Sequence, residues 1–202
     1  MKSLNKFVVA LAFAGMLPVL SYGQEYTAVE TAEIGVMNLL STVQESRGLF
    51  LTDRDGYFGA IEEVLNSIVD FNAVAVVVMN RYAESASEAQ KDRFADILRA
   101  TLTRFYGASL VSYEGQELAF LPSNNADADA DPRADTIVRM ELRGGDTNLE
   151  LQYQMFLNEN DEWKLKNLSL VGINLGRQYF TQFSALMGQN DDDIDAVLDN
   201  WK

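Results

Sequence analysis

Between Thr136 and Phe183 the alternation of hydrophobic and polar positions sets the frame for the whole chain. Thr136, Val138, Met140 and Leu142 alternate with Arg139, Glu141 and Arg143, and a period of two predicts a half-buried strand. Gly144-Gly145-Asp146 then offers the positive-φ turn chemistry of a hairpin. Leu149, Leu151, Tyr153, Met155 and Leu157 alternate with Glu150, Gln152 and Gln154 and predict the returning strand. A turn over 158–162 leads into a third strand that opens with Trp163-Lys164-Leu165-Lys166. Within it the apolar phase moves from odd positions (Trp163, Leu165) to even ones (Leu168, Leu170). One inserted residue does this, so a β-bulge is expected near Asn167. The strands share one broad apolar face, and what lies over that face decides the function.

The rest of the chain reads mainly as cover for it. From Thr27 to Arg47, Val29, Ile34, Val36, Met37, Leu40 and Val43 recur at helical spacing, with start chemistry at Thr27 or Thr31 and a stop at Arg47-Gly48. A loop over 52–56 precedes a second helix, Tyr57 to Ile68, with Phe58, Ile61, Leu65 and Ile68 on one stripe. Phe71 to Met79 is apolar almost throughout and fits a buried strand as well as a helix. Asp70, placed as an N-cap, favours the helix. Ser85 and Glu88 have capping-box spacing and are expected to open the longest helix. Its stripe is Phe94, Ile97, Leu98, Leu102, Phe105, Tyr106 and Leu110. Tyr113 to Leu121 is expected to be the first strand, with Leu118 and Phe120 inward. Gln178 to Met187 and Asp191 to Leu198 close the chain as helices anchored by Tyr179, Phe183, Leu186, Ile194 and Leu198.

Composition removes whole classes of chemistry. The 202 residues include no histidine and no cysteine, so a Ser-His-Asp triad, a Cys-His pair, an imidazole metal site and a disulfide are all excluded. Asp127, Asp129 and Asp131 alternate like the start of a calcium loop, but Pro132 and Val138 stand where glycine and a bidentate glutamate are required. That segment is expected to be a solvated loop, and neither a metal nor a cofactor is expected. Residues 1–23, with Lys2 and Lys6 before an apolar run from Phe7 to Leu20, read as a secretory signal peptide, with a signal anchor as the competing reading. Cleavage there leaves residues 24–202 as a single domain and moves the net charge from −14 to −16. Such a charge argues against nucleic acid and against anionic membrane surfaces.

In their order, Trp163-Lys164-Leu165, Leu168, Leu170, Gly172-Ile173, Leu175, Tyr179 and Phe183 resemble the C-terminal signature of the MlaC family. Val69-Asp70-Phe71, Arg81-Tyr82, Phe94, Leu102, Tyr106 and Gln116 extend the resemblance over essentially the whole mature chain. The chain departs from the family pattern at Asn80 (usually glycine), Ala83 (aromatic), Asn167 (aspartate), Asn174 (serine) and Phe180 (arginine). The resemblance implies an α+β fold with an NTF2-like curved antiparallel sheet, packed by helices around an apolar lipid pocket. It further implies a monomeric periplasmic carrier, passing phospholipid between an outer-membrane lipoprotein complex and an inner-membrane ABC transporter complex.

On that basis the expected acyl-chain contacts are Val74, Val78, Ile97, Leu102, Tyr106, Val138, Met140, Leu149, Leu151, Tyr153, Met155, Leu168 and Leu170. Arg81 and Arg104 are candidates for the headgroup, or for ordinary surface salt bridges. Hiding two chains of roughly sixteen carbons at about 0.8 kcal/mol per methylene gives about 25 kcal/mol, above the ceiling of roughly 20 for non-covalent affinity. Holding lipid is therefore easy, and release is the design problem. A closed hydrophobic core, giving a ligand-free adaptor, and an NTF2-like enzyme acting on a small apolar substrate are the alternatives. The enzyme needs an acid inside the pocket, and the strand faces offer only Tyr153.

Overall fold

The computed structural model describes residues 26–121, 134–144 and 147–201. The leader at 1–23 and the aspartate-rich run with its calcium-like spacing lie outside the described residues, as do Gly145 and Asp146 of the expected hairpin turn.

Helix α1 (Ala28–Ser46) begins with a capping box in which Thr27 and Glu30 bond reciprocally. A short α2 (Leu49–Thr52) and α3 (Arg54–Ile68) follow, separated only by Asp53, whose carboxylate caps Gly56 N–H. The loop expected over 52–56 is thus reduced to a single residue. The apolar segment is helical, α4 (Phe71–Met79), because Asp70 caps Ala73 N–H. It stops at Asn80, whose φ of 50° is of the kind that glycine or asparagine tolerates best. A 3₁₀ turn over Asn80–Tyr82 leads to α5 (Glu88–Leu110). The box that opens α5 is Ser87 with Gln90, two residues beyond the expected Ser85 and Glu88. Ser85 is held back because its hydroxyl donates to the Tyr82 carbonyl at the end of that turn.

The sheet has five antiparallel strands in sequential order: β1 (Glu117–Leu121), β2 (Thr136–Gly144), β3 (Thr147–Leu157), β4 (Trp163–Leu170) and β5 (Ile173–Asn174). β1 starts later than Tyr113 because a turn with Gly115 at φ 89° precedes it, closed by the Tyr113 hydroxyl donating to the Gln116 carbonyl. Gln154 pairs with Asn167 and Met155 with Leu165, so Lys166 is the extra residue of the expected bulge.

The bulge has a second effect. Asn167 Oδ1 accepts from Gly176 N–H at 3.0 Å, and its amide donates to Asn174, the N-cap of α6 (Leu175–Gln189). Two of the family departures therefore work as a pair, tying the helix start to the kinked strand. A last helix, α7 (Ile194–Asn200), is capped by Asp193.

Buried apolar residues fall into four clusters. The largest joins α4, α5, α6 and α7 through Phe71, Val78, Met79, Phe94, Leu98, Phe183 and Trp201. Two others lie along α1 where it meets the sheet: Ala28 and Ala32 against Val138 and Met155, then Val36 and Leu40 against Met140. The fourth packs Val43 against Tyr57, Phe58 and Ile61.

Candidate functional site

Strand register sets the site. Val138 pairs with Tyr153 and Tyr153 with Leu168; Met140 pairs with Leu151 and Leu151 with Leu170. Partners in an antiparallel pair point the same way, so these residues form two rows across one face. Leu118 and Phe120 extend that face through their partners Leu142 and Met140. Coverage along the rows is uneven. Val138, Met140 and Met155 are 0, 3 and 1 % exposed, whereas Leu149, Leu151, Tyr153, Leu168 and Leu170 are only partly buried.

Helix α5 packs on α3, α4 and α7. Gly107 approaches Phe58 and Ile61 of α3, and Phe94 packs on Phe183 and Trp201. At roughly 100° per residue, Leu102 and Tyr106 project between those two contacts; both are partly buried, and Leu102 packs on the edge of the helical cluster. Tyr106 meets α6, its hydroxyl 3.3 Å from that of Tyr179, and desolvation pushes its phenol well above the ordinary tyrosine value. Leu65 and Val69, also partly buried, fill in from α3 and its end, and Leu65 touches two of the core clusters.

Tyr153 is the informative wall residue. Surrounding protein pushes its phenol well above the ordinary value, and desolvation is the only cause. Yet the side chain keeps free surface. Tyr153 packs on both α1 clusters and is only partly covered by them.

Not every expected site residue joins this face. Ile97 and Tyr106 are nine residues apart, roughly half a turn around α5, so Ile97 projects from the opposite side and packs on the helical cluster. Val78 is sealed inside that cluster, and Val74 packs on its edge. Phe105, expected on the buried stripe, is 65 % exposed. The two arginines do not converge: Arg81 precedes α5, whereas Arg104 lies about 24 Å along it from Glu88. Arg81 donates to the Tyr82 and Ser184 hydroxyls at 2.8 and 3.1 Å and lies over the Tyr82 and Phe180 rings. Arg104 pairs with Asp55 at 3.1 Å and covers Phe58. Residues missing from the expected set are Leu65, Val69 and Tyr179. Tyr179, four before Phe183 on one helical stripe, carried a signal only for anchoring.

Two surface clefts flank Asp70. One of ≈ 340 Å³ is lined by Asn66, Asp70, Phe71, Arg99 and Lys164 among others, and one of ≈ 430 Å³ by Asn72, Val76, Lys91, Phe156 and Asn158 among others. Neither includes an inner residue of the sheet; the first is walled mainly by polar groups, whereas the second mixes polar groups with Ala73, Val76 and Phe156. Among the described residues no cluster of carboxylates could hold a metal ion, and no helix is long and apolar enough to cross a membrane.

Fold and site together define an α+β protein with a curved antiparallel sheet whose apolar face is left partly open beneath its helices. The MlaC protein family matches residues 35–202, and the chain belongs to that family. The toluene tolerance protein ttg2D of Pseudomonas putida is 27 % identical over 164 residues, spanning 81 % of this chain and 74 % of that protein. A phospholipid-binding protein from Ralstonia solanacearum, solved in complex with a phospholipid, shares the fold. Its TM-score is 0.76 at 21 % identity, over 86 % of this chain and 94 % of that one.

Proposed function

We propose that the chain is a periplasmic lipid carrier. It holds the acyl chains of a phospholipid between the β3–β4 half of the sheet and helices α1, α5 and α6, and leaves the headgroup in water. One observation carries the reading: a set of apolar residues around Tyr153, on the sheet face that α1 crosses, is only partly covered. Apolar surface of that kind is unfavourable in water by about 25 cal/mol per Å² and is stabilised by an apolar ligand. Family membership supports the same cargo, as does the phospholipid in the Ralstonia protein. The described inner residues on β1 to β4 include no carboxylate, which favours a carrier over acid–base chemistry. The expected leader at 1–23 would deliver residues 24–202 to the periplasm. There the chain would exchange lipid with an outer-membrane lipoprotein complex and an inner-membrane ABC transporter complex.

The test is native mass spectrometry of protein purified without detergent. Phospholipid adducts, confirmed by organic extraction, are the expected result. Only the bare protein mass would overturn the reading.

A further inference from the structure

Tyr153 is the one polar side chain in its row across β2, β3 and β4, flanked by Val138 and Leu168. Aliphatic neighbours come from α1, which meets this part of the sheet through Ala32, Val36 and Leu40. Among the described residues its hydroxyl makes no hydrogen bond. The hydroxyl is not sealed: amid apolar neighbours it keeps accessible surface, so its donor is free for a ligand. The other phenols nearby differ: Tyr106 and Tyr179 bond each other, and the Tyr57 hydroxyl donates to the Gly107 carbonyl at 2.9 Å. Packing alone would be served as well by phenylalanine, and no charged group perturbs Tyr153.

On the reading of the site as a lipid cavity, we infer that the Tyr153 hydroxyl is the specificity-determining donor of the pocket, giving its hydrogen bond to an acyl-ester carbonyl oxygen of the bound glycerolipid. An ester carbonyl is the hydrogen-bond acceptor of a diacyl lipid nearest its chains, and a dialkyl ether lipid of equal length has none. The pocket therefore discriminates by linkage chemistry as well as by oiliness. On that reading the acyl chains meet the apolar wall, and the ester carbonyl accepts from the Tyr153 hydroxyl.

The experiment loads the full mature chain from vesicles containing equal amounts of diester and dialkyl-ether phosphatidylcholine of matched chain length. The extracted lipid is then quantified by mass spectrometry. The expected result is a preference of about fivefold for the diester, the scale of one neutral hydrogen bond. It should fall to about one in Tyr153→Phe and persist in Tyr57→Phe, whose hydroxyl lies in a separate cluster. Tyr153→Phe without lipid should melt no lower than the parent, since the hydroxyl it removes has no partner among the described residues; a purely structural tyrosine would show the reverse. Equal uptake of both lipids by the parent protein overturns the inference and leaves the carrier reading standing, without relying on any variant. An unchanged preference in Tyr153→Phe, or a preference lost only in Tyr57→Phe, also overturns it. Uptake of neither lipid removes the carrier reading together with the inference.

Discussion

Met140 and Leu151 face each other across β2 and β3, yet they occupy different kinds of interior. Met140 is sealed under Val36 and Leu40 of α1, while Leu151, its direct partner, keeps open surface. Val138 and Tyr153 repeat the contrast one pair along. The difference lies in what reaches across the face. A straight helix covers a band roughly 10 Å wide, and five strands at about 4.8 Å spacing are wider than that. α1 crosses β2, β3 and β4, α4 and α6 reach β4 from the helical cluster, and the inner residues between these contacts are only partly covered. One apolar face thus carries both sealed residues and partly covered ones, and the proposed lipid wall is the partly covered part.

The strongest break in that comparison is a charge placed on each member of the pair. Met140→Glu puts a carboxylate into close packing and is expected to destabilise by about 3–5 kcal/mol, enough to unfold a marginal domain. Leu151→Glu places the same group where water can follow once lipid is gone, so the fold should survive and the cargo should be lost. Thermal melts paired with lipid extraction read both outcomes. If Leu151→Glu unfolds like Met140→Glu, the partly covered part is closed core. If it folds and still carries lipid, the cavity lies on another face.

Alkaline pH sharpens the contrast with a smaller effect. Tyr106 and Tyr153 both titrate above the ordinary 10.0, chiefly because desolvation disfavours the phenolate. Their folded values are raised, so the stability they contribute is complete below pH 10. It is lost above that point, where the unfolded chain releases its protons first. The melting temperature should fall as pH passes 10, less steeply in Tyr153→Phe. An identical fall in both proteins would mean that the wall around Tyr153 is wet.

The smallest effect tests the cover. Thr27→Ala removes the cap of α1 and should lower the melting temperature by roughly 3 °C. Glu30 is held below its ordinary 4.5 by bonds from the Thr27 backbone and hydroxyl. Its contribution is present above pH 4.5 and is lost as pH falls through the folded value. Parent and variant should therefore converge in acid, as followed by circular dichroism.

Much of this architecture was legible before any coordinates. Alternation on β2 and β3 and the phase slip at Asn167 are local facts, since side chains of an extended chain must alternate and one added residue must reverse them. α4 was legible, despite its strand-like valines, only from the Asp70 cap taken together with the family resemblance, because a cap satisfies amides at a helix start. The boundary of α5 was not legible. Two capping-box spacings stood two residues apart, and only the 3₁₀ turn that captures Ser85 selects Ser87.

The candidate site divides in the same way. The sequence by itself determined which residues share the inner face, that this face is apolar, and that histidine and cysteine chemistry is absent. Periodicity and composition are properties of the chain alone. Tertiary structure decided which of those residues pack and which stay open, since that depends on the width of a helix against the width of a sheet. It also decided that Ile97 turns away from Tyr106, that Arg81 and Arg104 part company, and that the Tyr153 hydroxyl has no partner among the described residues. Rotation about a helix axis and the distance between elements are set only when the elements meet.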